Sequence, residues 1–245
     1  MVAKTKKRNL LHNVGMPSTS SATALPSVLL TGFDPFGDIG PAGLVLNPSW
    51  MAVEALQGKR IAGHRIVAAQ LPTVFGASAL ELVRLLKLHK PALVICVGQA
   101  GGRSAVSLER VAINVNDARI PDNTGSQPVD TPVVQGGPAA YFGTLPIKAM
   151  LQALQTAGVA AEVSQTAGTF VCNHVFYALM HALATQRGLK RTRGGFIHVP
   201  YVPEQVAGQS MPNMPLQDIV RGLRLAVASA LANTRDIAKG AGAVS

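Results

Sequence analysis

Three short stretches of this chain are apolar with almost no break, and each stops at a glycine or a proline. They are Val28-Leu29-Leu30 before Thr31-Gly32, Ala92-Leu93-Val94-Ile95-Cys96-Val97 before Gly98, and Gly195-Phe196-Ile197-His198-Val199 before Pro200. A strand with one face in water alternates apolar and polar residues, whereas one covered on both faces reads as a continuous run. Between these runs lie segments with helical spacing. Asn47-Pro48-Ser49-Trp50 reads as a cap followed by proline at the first helical position, with a helix to residue 56. Residues 74–90, 145–157, 171–186 and 216–231 read as further helices, and 65–69, 111–115 and 161–164 as further strands, with 111–115 near an edge. Strand and helix alternating in this way predict an α/β fold. The expected form is a single domain with a mostly parallel, twisted sheet and helices on both faces. Residues 120–144, rich in Pro, Gly, Asp and Asn, read as one long functional or lid-like loop.

Composition narrows the function classes. The chain has 245 residues, of which 48% are hydrophobic and 14% charged, which excludes disorder for most of it. The long charge-free stretch at residues 163–186 carries Ser, Gln, Thr, Asn and two His, a polar load that argues against a membrane span. Two cysteines, Cys96 and Cys172, make no disulfide framework and point to a reducing compartment. The formal charge of +10 invites a nucleic-acid reading, but four of the bases, Lys4, Lys6, Lys7 and Arg8, sit in a basic, Ser/Thr-rich arm. With an aromatic content of only 4%, a base-stacking platform is not expected. The division read from the sequence is a flexible arm over residues 1–25, a catalytic domain over 26–235 and a flexible tail over 236–245. The arm lacks the apolar core of a secretory signal, and Met16 offers a second start.

In open α/β sheets, ligands gather at the carboxyl ends of strands. Here that rule selects residues 31–37, 98–103, the surroundings of Cys172, and His198. Cys172 follows a glycine turn at the start of a helix, where unpaired N–H groups and the helix dipole favour a thiolate of depressed pKa. Cys96, in mid-strand between Ile95 and Val97, reads as core. A cysteine nucleophile needs a base. His12 lies in the arm, His64 and His89 in surface-like segments, and His174 and His181 on the nucleophile's own helix. That leaves His198, held by Pro200. Glu109, Asp117 and Asp122 are the candidates for orienting its imidazole, Glu109 directly preceding the strand at 111. No G-x-G-x-x-G, Walker A or H-E-x-x-H pattern is present, and His174 and His181 are seven residues apart. No cofactor and no metal are expected.

Four blocks of the sequence carry a resemblance. The first is Thr31-Gly32-Phe33-Asp34-Pro35-Phe36-Gly37 with Asn47-Pro48-Ser49-Trp50. The second runs from Gly98-Gln99-Ala100-Gly101-Gly102-Arg103 through Glu109-Arg110-Val111-Ala112-Ile113-Asn114. The third is Thr166-Ala167-Gly168-Thr169-Phe170-Val171-Cys172-Asn173, and the fourth Phe196-Ile197-His198-Val199-Pro200 with Pro203-Glu204-Gln205. Together they resemble the pyroglutamyl peptidase I (pyrrolidone-carboxylate peptidase) family of cysteine peptidases, in the family's order. The resemblance implies Cys172 as nucleophile, His198 as general base and then acid, and Glu109 as the group orienting His198. It further implies Arg119 at the oxyanion. Phe33, Phe36, Ile120, Phe170 and Val171 would form an apolar slot, with Asn47 and Gln99 near a lactam's polar edge. The implied activity is removal of an N-terminal pyroglutamyl residue through a thioester. The implied setting is a cytoplasmic homotetramer acting on pyroglutamyl peptides, with no membrane and no nucleic acid as partner. The alternatives are a non-catalytic nucleic-acid-binding protein, or a related Cys hydrolase with another acyl specificity. The arm before Pro26, a long link at residues 38–46 and the basic connector at 187–193 depart from the family pattern.

Overall fold

The computed structural model describes residue 1, residues 25–37 and residues 45–241. The arm and most of the 38–46 link therefore lie outside the described residues. In chain order the elements are β1 (Ser27–Phe33), α1 (Pro48–Glu54), β2 (Arg60–Ile61), β3 (His64–Leu71), α2 (Ala77–His89), β4 (Leu93–Gln99) and β5 (Val106–Glu109). They continue with β6 (Val111–Ile113), β7 (Ala140–Phe142), α3 (Ile147–Thr156), β8 (Ala161–Ser164), α4 (Val171–Thr185), β9 (Arg193–Val199) and α5 (Leu216–Ala232). Seven strands form one sheet in the order β2-β3-β1-β4-β9-β5-β8. β3, β1, β4 and β9 run parallel, β2 turns back on β3, and β5 and β8 run parallel to each other but opposite to β9.

The apolar runs are the central strands because both of their sides are covered. Val28 and Leu30, Leu93 and Ile95, and Ile197 and Val199 pack with residues of α1, α3 and α5. Their alternates Leu29, Val94, Cys96 and Phe196 pack with α2 and α4. This period of two also fixes the face of every functional side chain below. The fold is a single α/β domain with a mostly parallel sheet.

Glu109 precedes the strand at Val111, as read, and also ends β5, a strand the sequence did not announce. Three expectations need correction. Residues 111–113 are not at the edge of the main sheet but pair with β7 in a separate two-stranded sheet. Residues 120–144 are not structureless, for they contain β7 and are stitched internally. The Asp122 carboxylate accepts from the N–H groups of Phe75, Thr124 and Ser126, and Asn123 donates to the Pro35 carbonyl. Finally, the tail is anchored where it begins. The Asp236 carboxylate accepts from the backbone N–H of Lys148 (3.0 Å) and of Ala149 (2.9 Å), capping α3 from 88 and 87 residues away.

That cap is expected to matter as a local one would. Asp236→Ala should cost about 1 kcal/mol, or a fall in Tm of roughly 2–4 °C for a chain of this size, with catalytic rates unchanged. A thermal melt read by circular dichroism checks it.

Candidate active site

α4 carries the nucleophile candidate, and its start explains the position. Gly168 turns the chain with φ 75°, a left-handed value that glycine adopts freely, while its N–H donates to Thr166 Oγ1. The residue before the helix, Phe170, offers no side-chain cap. The first-turn N–H groups beside Cys172 are therefore not consumed by a capping side chain, and remain donors for a ligand.

α4 packs on the face that holds Phe196 and, two residues on, His198. Their register partners on β4 are Cys96 and Gly98. Cys172 Sγ lies directly over Gly98, so close that a β-carbon there would come within 2.7 Å of it. Glu109 reaches the same face from β5, where Ser107 pairs with His198. Its Oε1 lies 2.8 Å from His198 Nδ1 and accepts from it, leaving Nε2 as the free ring nitrogen. Both side chains are buried, and the Phe196 ring packs against the imidazole, centroids 4.8 Å apart and planes tilted by 54°. The structure thus brings Cys172, His198 and Glu109 together. Of the other acids considered, Asp122 is bound to the N–H groups of Phe75, Thr124 and Ser126, and Asp117 lines the neighbouring cavity.

Burial, first of all, and then the Glu109 carboxylate push the Cys172 thiol up to about 12, with Arg103 pulling the other way. Burial also depresses His198, against the opposing pull of Glu109. Both shifts favour neutral forms, a thiol beside a neutral imidazole, and run against the depressed thiol pKa expected from the helix start alone.

Gln99, next to Gly98, and Phe170, two residues before Cys172, belong to the wall of a cavity of about 710 Å³, within the range of small-molecule pockets. Phe36, Gln99, Arg119, Ile120 and Phe170 line it, as expected. Phe33, Asn47 and Val171 do not. Phe33 and Val171 are core residues of the α2/α4 face. Asn47 is spent on structure: its Oδ1 accepts from the Ser49 N–H and hydroxyl, and its Nδ2 donates to the Asp34 carbonyl.

Gln99 is held in one orientation. Gln205 accepts the Val202 N–H with its Oε1, so its Nε2 must donate, and it donates to Leu46 O and Gln99 Oε1 (2.8 Å). The amide nitrogen of Gln99 is left to serve the cavity as a donor.

Several contributors were not among the residues given a role. Arg103, in the second of the four blocks, donates to Glu109 Oε1 at 2.8 Å. Asn173 binds Ile113 and Val115 backbone groups and pins β6 to α4. Phe75 backs the slot, its ring edge-on to Phe170 at 5.4 Å and to His174 at 5.5 Å. His174 Nε2 accepts from the Gly76 N–H, while Nδ1 meets Asn116 Oδ1.

Burial lowers His174 to about 4. The folded protein keeps it neutral, whereas an unfolded chain protonates it below about pH 6.5. Its contribution to stability is therefore whole above that value and is lost as pH falls towards 4, on the order of 3 kcal/mol in all. Urea midpoints at pH 7.5 and 4.5 should differ accordingly, and His174→Gln should flatten that dependence.

Known proteins align with this chain along most of its length. The pyroglutamyl peptidase family profile matches residues 26–233. A pyrrolidone-carboxylate peptidase of Cupriavidus taiwanensis is 58% identical over 214 residues, covering 87% of this chain and 96% of that relative. Pyrrolidone-carboxylate peptidase 1 of Ralstonia nicotianae is 58% identical over 219 residues, covering 89% and 99%. The crystal structure of Bacillus amyloliquefaciens pyroglutamyl peptidase I superposes with a TM-score of 0.82 at 50% identity, over 86% of this chain and all of that one. A mutant pyrrolidone carboxyl peptidase of Pyrococcus furiosus gives 0.78 at 41%, over 84% and 98%. The chain belongs to the pyroglutamyl peptidase family.

Proposed function

We propose that this chain is a cysteine peptidase that removes an N-terminal pyroglutamyl residue from peptides, with Cys172, His198 and Glu109 as its triad. The observation that carries the reading is the Glu109–His198 pair at 2.8 Å on the face where the Cys172 thiol packs on Gly98, with Gln99 and Phe170, their neighbours in sequence, in the wall of a cavity. His198 Nε2 takes the thiol proton as Sγ attacks the carbonyl that joins the lactam ring to the next residue. The first-turn N–H groups of α4, with Arg119, would hold the oxyanion. His198 then protonates the departing amine, leaving a thioester. Water, deprotonated by His198, releases pyroglutamate and restores the thiol.

Selectivity follows from the slot. Phe36 and Phe170, with centroids 5.9 Å apart, suit a small flat neutral ring, and the Gln99 amide nitrogen suits the lactam carbonyl. Proline lacks that carbonyl and would leave the donor unpaired. Phe33, Asn47 and Val171 then act from behind, by holding the slot's shape. Family membership favours this reading over the nucleic-acid one. Among the described residues no helix is long and apolar enough to cross a membrane. A reducing, cytoplasmic site and a homotetramer belong to the same proposal; light scattering on the purified chain tests the latter.

Release of a chromogenic amine from a pyroglutamyl amide, beside its prolyl analogue, tests the activity. Turnover of the first alone is expected. Equal turnover of both would point to a Cys hydrolase of another acyl specificity, and turnover of neither would overturn the proposal.

A further inference from the structure

We infer that Arg103 is a positioning residue of the triad, its guanidinium fixing the Glu109 carboxylate and tying it to the turn that leads into the nucleophile helix. The inference rests on the peptidase reading for its rate measurements. Glu109 uses a single oxygen for two partners: Oε1 accepts from His198 Nδ1 and from Arg103 Nη1, each at 2.8 Å. Its other oxygen, Oε2, is buried and has no hydrogen-bond partner among the described residues. The terminal torsion of a glutamate is soft, so one donor alone would not fix the tilt of the carboxylate plane against the imidazole. A second donor on the same oxygen, from a planar and rigid group, does fix it.

The other arm of Arg103 reaches across. Nη2 donates to the Thr166 carbonyl at 3.1 Å, in the turn whose Thr166 hydroxyl accepts the Gly168 N–H before α4 begins. One guanidinium thus joins the end of β5 to the approach to Cys172. The Glu109 side chain is wholly buried, while that of Arg103 is 23% exposed. The cation therefore balances the carboxylate from the rim, without entering the dry space between thiol and imidazole.

The charge balance has a readable consequence. The ionisable groups acting on His198 are Glu109 from β5 and Arg103 from the loop before it, with Cys172 facing it from α4. With Arg103 gone, the carboxylate acts unopposed. The imidazole then holds its proton to higher pH, and the thiol is harder to ionise.

Arg103→Met keeps the bulk and removes the charge; Arg103→Lys keeps the charge and removes the fork. For Arg103→Met we expect kcat on the pyroglutamyl amide to fall about 10–100-fold with little change in KM, since a small misplacement of the base is costly. The acid limb of kcat/KM against pH should move up by about one unit. Arg103→Lys should restore the position of the limb but not the full kcat. A folded Arg103→Met with the wild-type limb overturns the inference, whatever its rate, because a merely structural residue would leave the limb in place. If Arg103→Met does not fold, Arg103→Lys decides alone, and full kcat in it overturns the inference. Alkylation of Cys172 by iodoacetamide across pH needs no substrate. It should be slower in Arg103→Met at every pH, and equal rates overturn the inference even if the amide proves not to be a substrate.

Discussion

Cys172→Ser is expected to lower kcat/KM on a pyroglutamyl amide by roughly 10⁴-fold or more, with the thermal melt unchanged. A serine hydroxyl is far less acidic than a thiol, and a neutral His198 with a depressed pKa is a weak base for it. The control is Cys96→Ala. Cys96 is fully buried on β4, two residues before Gly98, among apolar side chains, so truncation should cost about 1–2 kcal/mol of stability while leaving kcat nearly intact. Equal loss of activity in both variants would defeat the assignment of the nucleophile. The same experiment on wild type bears on the resting state. With the Cys172 thiol pushed up to about 12, iodoacetamide inactivation should quicken steadily from pH 7 to 10. A plateau below pH 8 would mean an ion pair at rest instead of a thiol and an imidazole.

The sequence disclosed the parts of this site that rest on local regularity. β4 and β9 are legible because both faces are covered, and His198 could be placed on a strand for the same reason. Cys172 was legible at a helix start because Gly168 breaks the chain just before it. What was not legible depends on partners distant in sequence. The helix expected from residue 74 begins at Ala77, because Gly76 has φ 71°, outside the helical region, in a turn whose Phe75 and Gly76 N–H groups bond to Asp122 and His174, 47 and 98 residues away. β5 is four residues ending in a charge, and its glutamate looks exposed until β9 and Arg103 are set beside it. The cap on α3 comes from Asp236, in a segment whose composition reads as a frayed tail. Asn47 shows the opposite case. Its pattern Asn-Pro-Ser announced a cap, and that local role occupies Oδ1, while Nδ2 spends one of its two hydrogens on the Asp34 carbonyl.

Gly98→Ala should be nearly as damaging as loss of a catalytic group, although glycine takes no part in the chemistry. An added β-carbon would meet Cys172 Sγ at 2.7 Å and Phe196 Cζ at 2.8 Å, both well inside ordinary contact. The strand cannot retreat, because β4 is held between β1 and β9 in the middle of the sheet. Phe196 cannot yield easily either, with Phe33 and Phe176 packed on its ring at 6.4 and 5.8 Å and His198 at 4.8 Å. The strain must fall on the thiol, on the imidazole or on both, and each is needed within bonding reach of the other. A displacement approaching 1 Å costs about 10²-fold in rate, and overpacking a core costs about 1–3 kcal/mol of stability. The expected result is therefore a folded protein with kcat reduced about 100-fold and KM changed far less, since the cavity walls at Phe36, Phe170 and Gln99 stay in place. Gly188→Ala is the matched control, with an ordinary φ and nothing within 4 Å of the added carbon. If Gly98→Ala keeps the wild-type kcat, Cys172 does not work from the position where it packs on β4.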